Sequence, residues 1–284
     1  MQFSAGRAFS EAFQLLGSRF GMLVGIWLTF FIGLIAVFAM FGGALVAMIA
    51  QAGSGLSPGA VPGSNLFAGM GASILLFYVL YLAILFAQQI ALSRASTGRN
   101  EDSFAVALGA GLRGTLTMLG VMLLYMIAGI GGGIVVSLLM AGIIAATQSA
   151  GISFLLSLLL LLGFFYLFAR LCLVLPLVAI EEVRNPFSAI GRAWKLTAGS
   201  SVKVALTWAL VLIAVMVVYF VVFMVTVGFP SPQTLAGGPM QSIGFFIVMI
   251  VLGLSVGLYM VTLTTALYNQ LSPSSAELTA EAFD

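Results

Sequence analysis

The chain has no histidine, a single cysteine (Cys172) and only 6% charged residues in 284. Without histidine it lacks the commonest catalytic base and metal ligand, and one cysteine excludes an internal disulfide. Few groups remain from which a catalytic centre could be assembled. Charge is missing altogether over three long stretches, between Arg19 and Arg94, between Arg113 and Arg170, and between Lys203 and Glu277. Each gap has room for two apolar helices of about 20 residues, the length that crosses a bilayer. A composition of 62% hydrophobic residues and a mean hydropathy of +1.22 describe a chain whose solvent is lipid, not a soluble domain with one buried core.

The charges that are present cluster at the N-terminus, in alternate connections and in the tail. Apolar runs predict spans near Gly21 to Ala50, Phe67 to Arg94, Thr115 to Ala146, Ile152 to Ile180, Val202 to Phe229 and Ile243 to Leu271. The uncharged connections Gln51 to Asn65, Thr147 to Gly151 and Pro230 to Gln241 are rich in Gly, Pro and Ser and read as turns on the outer face. Lys and Arg flanking the short connections set orientation, which places the other two connections and both termini in the cytoplasm. Ala50-Gln51-Ala52 has the small-x-small shape of a signal cleavage site. The run before it is longer than a signal core of about 7–15 residues and follows a polar helix, so it reads as a first span.

Phe3-Ser4-Ala5-Gly6-Arg7-Ala8-Phe9 recurs with one insertion as Phe187-Ser188-Ala189-Ile190-Gly191-Arg192-Ala193-Trp194, and a weaker copy starts at Ser103-Phe104. Each copy precedes an odd-numbered span. The even-numbered spans carry Leu85-Phe86-Ala87-Gln88, Leu167-Phe168-Ala169-Arg170 and Leu267-Tyr268-Asn269-Gln270 near their ends. In the first copy Arg7, Glu11, Gln14 and Ser18 form a polar stripe opposite Phe9, Phe13 and Leu16, which suits a helix in the headgroup plane. The third copy opens with Asn185-Pro186, a cap followed by proline at the first helical position, and sets Phe187, Ile190 and Trp194 opposite Ser188, Arg192 and Lys195. The expected fold is all-α and integral to the membrane: six transmembrane helices as three hairpins, each preceded by a short amphipathic interfacial helix. Residues 1–271 form one transmembrane domain of units 1–98, 99–182 and 183–271, and residues 272–284 a short acidic cytoplasmic tail.

Arg170 is the sharpest polar residue, because an arginine at a helix centre costs about 2.5–3.5 kcal/mol on insertion scales. A straight helix from Ile152 to Ile180 would be about 43 Å long against a core of about 30 Å. Pro176 removes a backbone donor and is expected to kink the span, which leaves Arg170 near the cytoplasmic edge as a clamp between helices, with contact to lipid phosphate or a substrate as the alternative. Gln88, Gln89, Asn269 and Gln270 hold comparable positions on the second and sixth spans, where amides can bond across helices and share a polar cluster with Arg170. Glu181 and Glu182 point about 100° apart on a helix, which suits a solvated charge group better than a shared proton. Arg192, Trp194 and Lys195 complete the candidate lipid-contact set. Gly21 to Gly25, Gly129 to Gly133 and Gly253 to Gly257 match GxxxG and are expected to pack helices within the chain.

The stretch Arg170-x5-Pro176-x4-Glu181-x4-Pro186-x2-Ala189-x2-Arg192-Ala193-Trp194-x-Leu196-Thr197-x-Gly199, with Leu267-Tyr268, resembles the membrane domain attached to some bacterial glycerophosphodiester phosphodiesterases and to a wider set of bacterial inner-membrane proteins. The chain departs from the family at Ala193, where a serine is usual, and at Ser272-Pro273, where a charged segment usually follows. In that family the phosphodiesterase chemistry belongs to a separate soluble barrel with acidic residues, histidine and a metal, so no catalytic residue carries over. The resemblance implies an accessory role in lipid or envelope homeostasis. The expected function is therefore a non-enzymatic inner-membrane scaffold or accessory, with a small transporter or lipid flippase as the alternative. No cofactor or metal is expected. The expected partners are membrane lipids and a protein in the membrane, not nucleic acid.

Overall fold

The computed structural model describes residues 4–54, 64–97, 103–227 and 243–272, and its elements are all helices. In chain order they are α1 (Ala5–Ser18), α2 (Phe20–Ser54), α3 (Ser64–Ala95), α4 (Phe104–Thr147), α5 (Ala150–Leu171), α6 (Val174–Ile180), α7 (Pro186–Leu196), α8 (Ser201–Val227) and α9 (Ile243–Leu271). Among the described residues six segments are long and apolar enough to cross a bilayer, in α2, α3, α4, α5 with α6, α8 and α9. Helices are what a lipid solvent demands, since each satisfies its backbone N–H and C=O groups within its own segment. The chain is a multi-pass membrane protein. Most of the connections expected at Gln51 to Asn65 and Pro230 to Gln241, and the tail beyond Ser272, lie outside the described residues.

The helix boundaries follow local chemistry. Before α4 the Ser103 hydroxyl accepts from the Val106 N–H at 3.4 Å, and before α7 the Asn185 side chain accepts from Phe187 N–H at 2.9 Å and Ser188 N–H at 3.4 Å. At its far end α4 stops where Gln148 turns left-handed, with φ 47°, and only residues 148 and 149 separate it from α5. The second repeat copy is not a separate short helix. It runs unbroken into the span, and Thr115 within it folds its hydroxyl back on the Gly111 carbonyl at 2.8 Å, which satisfies that buried group inside the helix. The resulting helix of 44 residues would measure about 66 Å, more than twice a bilayer core of about 30 Å.

The fourth span breaks as expected, but earlier than Pro176. Helix α5 ends at Leu171, Cys172 and Leu173 turn, and Pro176 becomes the third residue of α6. A proline nitrogen there cannot bond the Cys172 carbonyl, so the break falls one turn upstream of the ring. Helix α6 is almost wholly buried, with Leu177 and Ala179 at 0% exposure, and packs against α3, α4, α7 and α9. Leu177, Val178, Ile90, Leu263 and Leu267 share one cluster with it, while Leu23, Ile26, Leu92, Leu258 and Val261 form a second.

Small residues let these helices approach. A Cβ on Gly111 would collide with the Ala87 carbonyl, one on Gly114 would lie 2.9 Å from Ile90 Cδ1, and one on Gly120 would lie 2.6 Å from Pro186 Cγ. The expected GxxxG contacts are not the ones used. Gly21, Gly129, Gly133 and Gly257 have nothing within 4 Å of such a Cβ, and Gly25 and Gly253 meet only one side-chain atom each, at 3.4 and 3.8 Å.

Candidate functional site

The polar side chains gather at the end of the bundle that holds α6 and α7. The chain leaves α6 at Glu181, reverses at Glu182 with φ 52°, and enters α7 through the Asn185 cap. Arg94 on α3 donates to the Ile180 carbonyl at 2.9 Å and the Ala179 carbonyl at 3.3 Å. It thereby places a cation on the negative end of α6 and satisfies carbonyls that the helix itself leaves open.

Arg170 ties α5 to α7. Its Nη1 donates to the Trp194 carbonyl at 3.0 Å, its Nε donates to the Tyr166 hydroxyl at 3.0 Å, and its guanidinium lies 4.6 Å from the Trp194 ring centroid. The Thr197 hydroxyl, fully buried, sits 3.3 Å from the Arg170 carbonyl and 2.9 Å from that of Ala193. Cation, ring and backbone fork together form the joint, a geometry suited to a planar guanidinium.

Glu181 joins three elements. One carboxylate oxygen accepts from Arg192 on α7 at 2.6 Å, and the other accepts from the buried Tyr268 hydroxyl on α9 at 2.7 Å. Glu181 is exposed, as a solvated charge group would be, and its carboxylate also bonds two other helices. Nearby, the buried hydroxyls of Ser93, Ser96 and Thr265 link α3 to α9, with Ser96 and Thr265 only 2.7 Å apart. Such interhelical bonds are worth about 0.6 kcal/mol each in membrane proteins.

The amides do not join Arg170. Asn269 donates to Glu11 on α1 at 2.8 Å, while Gln270, with its nitrogen toward Ser4, donates to the Ser4 carbonyl at 3.2 Å and accepts from Ala8 N–H at 2.9 Å. Gln270 thus ties the end of α9 to the N-terminus of α1, where the Ser4 side chain makes no capping bond. Gln88 donates to the Trp27 carbonyl on α2 at 3.5 Å, and Gln89 is half-buried on the same helix. The reason for the dispersal is geometric: these amides sit on different helices, and α6 fills the space among them. Pro176 is buried within α6, and Lys195 is exposed in the last turn of α7.

A common pattern emerges from these contacts. In α1 the buried pair is Ala8 and Ala12, at the start of α4 it is Ala107 with Gly111, and in α7 it is Ala193 with Thr197 just beyond, each pair four residues apart. Ala87 of α3 receives Gly111 of α4, Arg170 of α5 holds Trp194 of α7, and Gln270 of α9 holds Ser4 of α1. The end of each even span therefore grips the segment that precedes the next odd span, and the last grips the first.

Two recesses adjoin this layer. Arg113, Thr117, Glu182 and Arg184 line a small polar cleft with about 20 Å³ of free space, room for a single water. Phe9 and Phe13 of α1, Leu210, Val211, Ala214 and Val215 of α8 and Tyr259 of α9 line an apolar groove of about 350 Å³. Among the described residues no three His, Cys, Asp or Glu side chains converge as metal donors.

The sequence did not mark the helix-end contact of Arg94, the two partners of Glu181 or the hydroxyl cluster. Tyr268 was visible in the span-end repeat and in the family motif, and Ala107, Ala110, Gly111, Gly114 and Thr115 form a small-residue stripe at helical spacing that could have marked the α3 contact. No curated protein and no solved structure matches the chain. Residues 143–282, nearly half of the chain, match the family model of the membrane domain of glycerophosphoryl diester phosphodiesterase, the same family that the Arg170-to-Gly199 motif resembles.

Proposed function

We propose that this protein is a non-enzymatic scaffold or accessory of the bacterial inner membrane, acting in lipid or envelope homeostasis, with both termini in the cytoplasm. The observation that carries this reading is the use made of the polar groups. Arg94, Arg170, Glu181, Arg192, Asn269 and Gln270 each bond a neighbouring helix, and the short apolar helix α6 fills the space at their centre. Transporters place substrate and ion sites near the bilayer midplane on broken, polar-lined helices. Here the charged side chains described as bonding another helix lie at one end and serve as joints, while the hydroxyls of Thr29, Ser137, Ser157 and Ser255 bond carbonyls of their own helices. The family match supports a membrane-embedded accessory role, since the matched region is described as a membrane domain.

The test is a proteoliposome assay with a headgroup-labelled fluorescent phospholipid and dithionite. The expected result is bleaching of the outer-leaflet fraction alone, as in empty vesicles. Bleaching of the inner-leaflet fraction in intact vesicles would replace the accessory reading with that of a flippase.

A further inference from the structure

We infer that the groove between α8 and α9 holds one acyl chain of an anionic phospholipid from the leaflet on the charged side, with Lys203 meeting its phosphate. This rests on the proposed orientation and names the lipid that the accessory reading leaves open. The groove has about 350 Å³ of space, within the range of small-molecule sites. Tyr259 alone among its lining side chains carries a polar atom. Helix α8 packs chiefly on α5 and touches α9 little, which leaves the groove open sideways, toward hydrocarbon. Phe13 meets Tyr259 with ring centroids 4.8 Å apart and planes tilted by 39°, and forms the groove wall on the α1 side.

Depth and charge identify the occupant. Lys203, Leu210 and Ala214 stand at i, i+7 and i+11 on α8 and so share one face. Leu210 and Val215 lie about 10 to 18 Å along the helix from Lys203, and half of a bilayer core is about 15 Å. A chain whose headgroup rests at Lys203 therefore runs its methylenes along the groove. Lys203 is exposed and makes no ion pair among the described residues, so its ammonium is available to a phosphate. The exposed apolar residues from Ile127 to Leu138 on α4 have no cation on their stretch of helix and serve as the reference for ordinary lipid contact.

The experiment uses the full chain in vesicles of equal phosphatidylcholine and phosphatidylglycerol. A trace of either lipid carries a diazirine on one acyl chain, and adducts are mapped by peptide mass spectrometry. On groove peptides the phosphatidylglycerol probe should label about fivefold more than the phosphatidylcholine probe, the ratio that about 1 kcal/mol per lysine gives. Lys203→Gln should bring that ratio near one. Ala214→Trp, at an exposed position that tolerates bulk, should remove groove adducts from both probes and leave those on α4 unchanged. Groove labelling no stronger than on α4, equal labelling by the two lipids, or no effect of Ala214→Trp would each overturn the site. None of these results bears on inner-leaflet bleaching, so the site and the accessory reading can fail separately.

Discussion

The two ends of α4 differ sharply in burial. From Ala107 to Val121 it buries Ala107, Ala110, Gly111, Thr115, Thr117, Met118 and Val121 against α3, α6 and α7, whereas from Leu123 to Thr147 no side chain is buried. Helix α5 repeats the contrast, with nothing buried among its described side chains before Ala169. Both halves are apolar, so hydrophobicity does not separate them. Lipid tails are as apolar as leucine, and helices associate in them through close packing and interhelical hydrogen bonds. The packed half has small residues and hydroxyls facing partners, and the other half presents Ile127, Ile130, Leu138 and Leu139 to the surroundings. Stability should accordingly reside at the charged end, and the far half of the α4–α5 hairpin should contribute little.

The largest effect that could break this comparison is expected in α6. Leu177→Ala removes a side chain with 0% exposure and should lower detergent stability by about 3 kcal/mol. Leu138→Ala, in the exposed half, should leave the melting temperature unchanged. Equal losses would mean that the far half is packed as tightly as the core.

Next in size is the Arg170 joint. Arg170→Ala should cost about 2 kcal/mol, through loss of the Trp194 carbonyl bond and the cation–π contact, without impairing membrane insertion. Arg170→Lys should recover only part of it, because an ammonium cannot reproduce the planar fork. Thermal unfolding of the three proteins in one detergent gives the comparison.

Why the joint was legible while its neighbours were not comes down to spacing. Six spans follow from the three charge-free gaps, and Arg170 stands out as a lone cation in an apolar helix. Its partner at Trp194 is 24 residues away across two helix breaks, a distance that periodicity does not encode. Glu181 is exposed as its adjacency with Glu182 suggested, but its partners were not legible, because α6 ends so that one carboxylate meets both Arg192 and Tyr268. The GxxxG reading failed for a related reason: the motif states that a helix can be approached closely, and only the fold decides whether another helix is there. Gly129 and Gly133 keep the motif on a helix face that meets no partner.

Smaller effects sharpen the account. Tyr268→Phe removes one hydrogen bond to Glu181 and should cost about 1 kcal/mol, and Arg192→Ala combined with it should show coupling in a double-mutant cycle. Additive losses would deny that Glu181 links α7 to α9. Smallest of all, Thr265→Val at the hydroxyl cluster should cost about 0.6 kcal/mol by denaturant titration. A loss several times larger would make the hydroxyls, not the apolar packing, the main link between α3 and α9.

The most direct test places one substitution at two points of the same helix. Gly111→Ala drives a methyl into the Ala87 carbonyl and should lower stability by about 1–3 kcal/mol. Gly132→Ala meets nothing within 4 Å and should be neutral or, through helix propensity, stabilising by about 0.5–1 kcal/mol. Opposite outcomes at residues 111 and 132 are what a bundle held at its charged end predicts, and the same loss at both would contradict it.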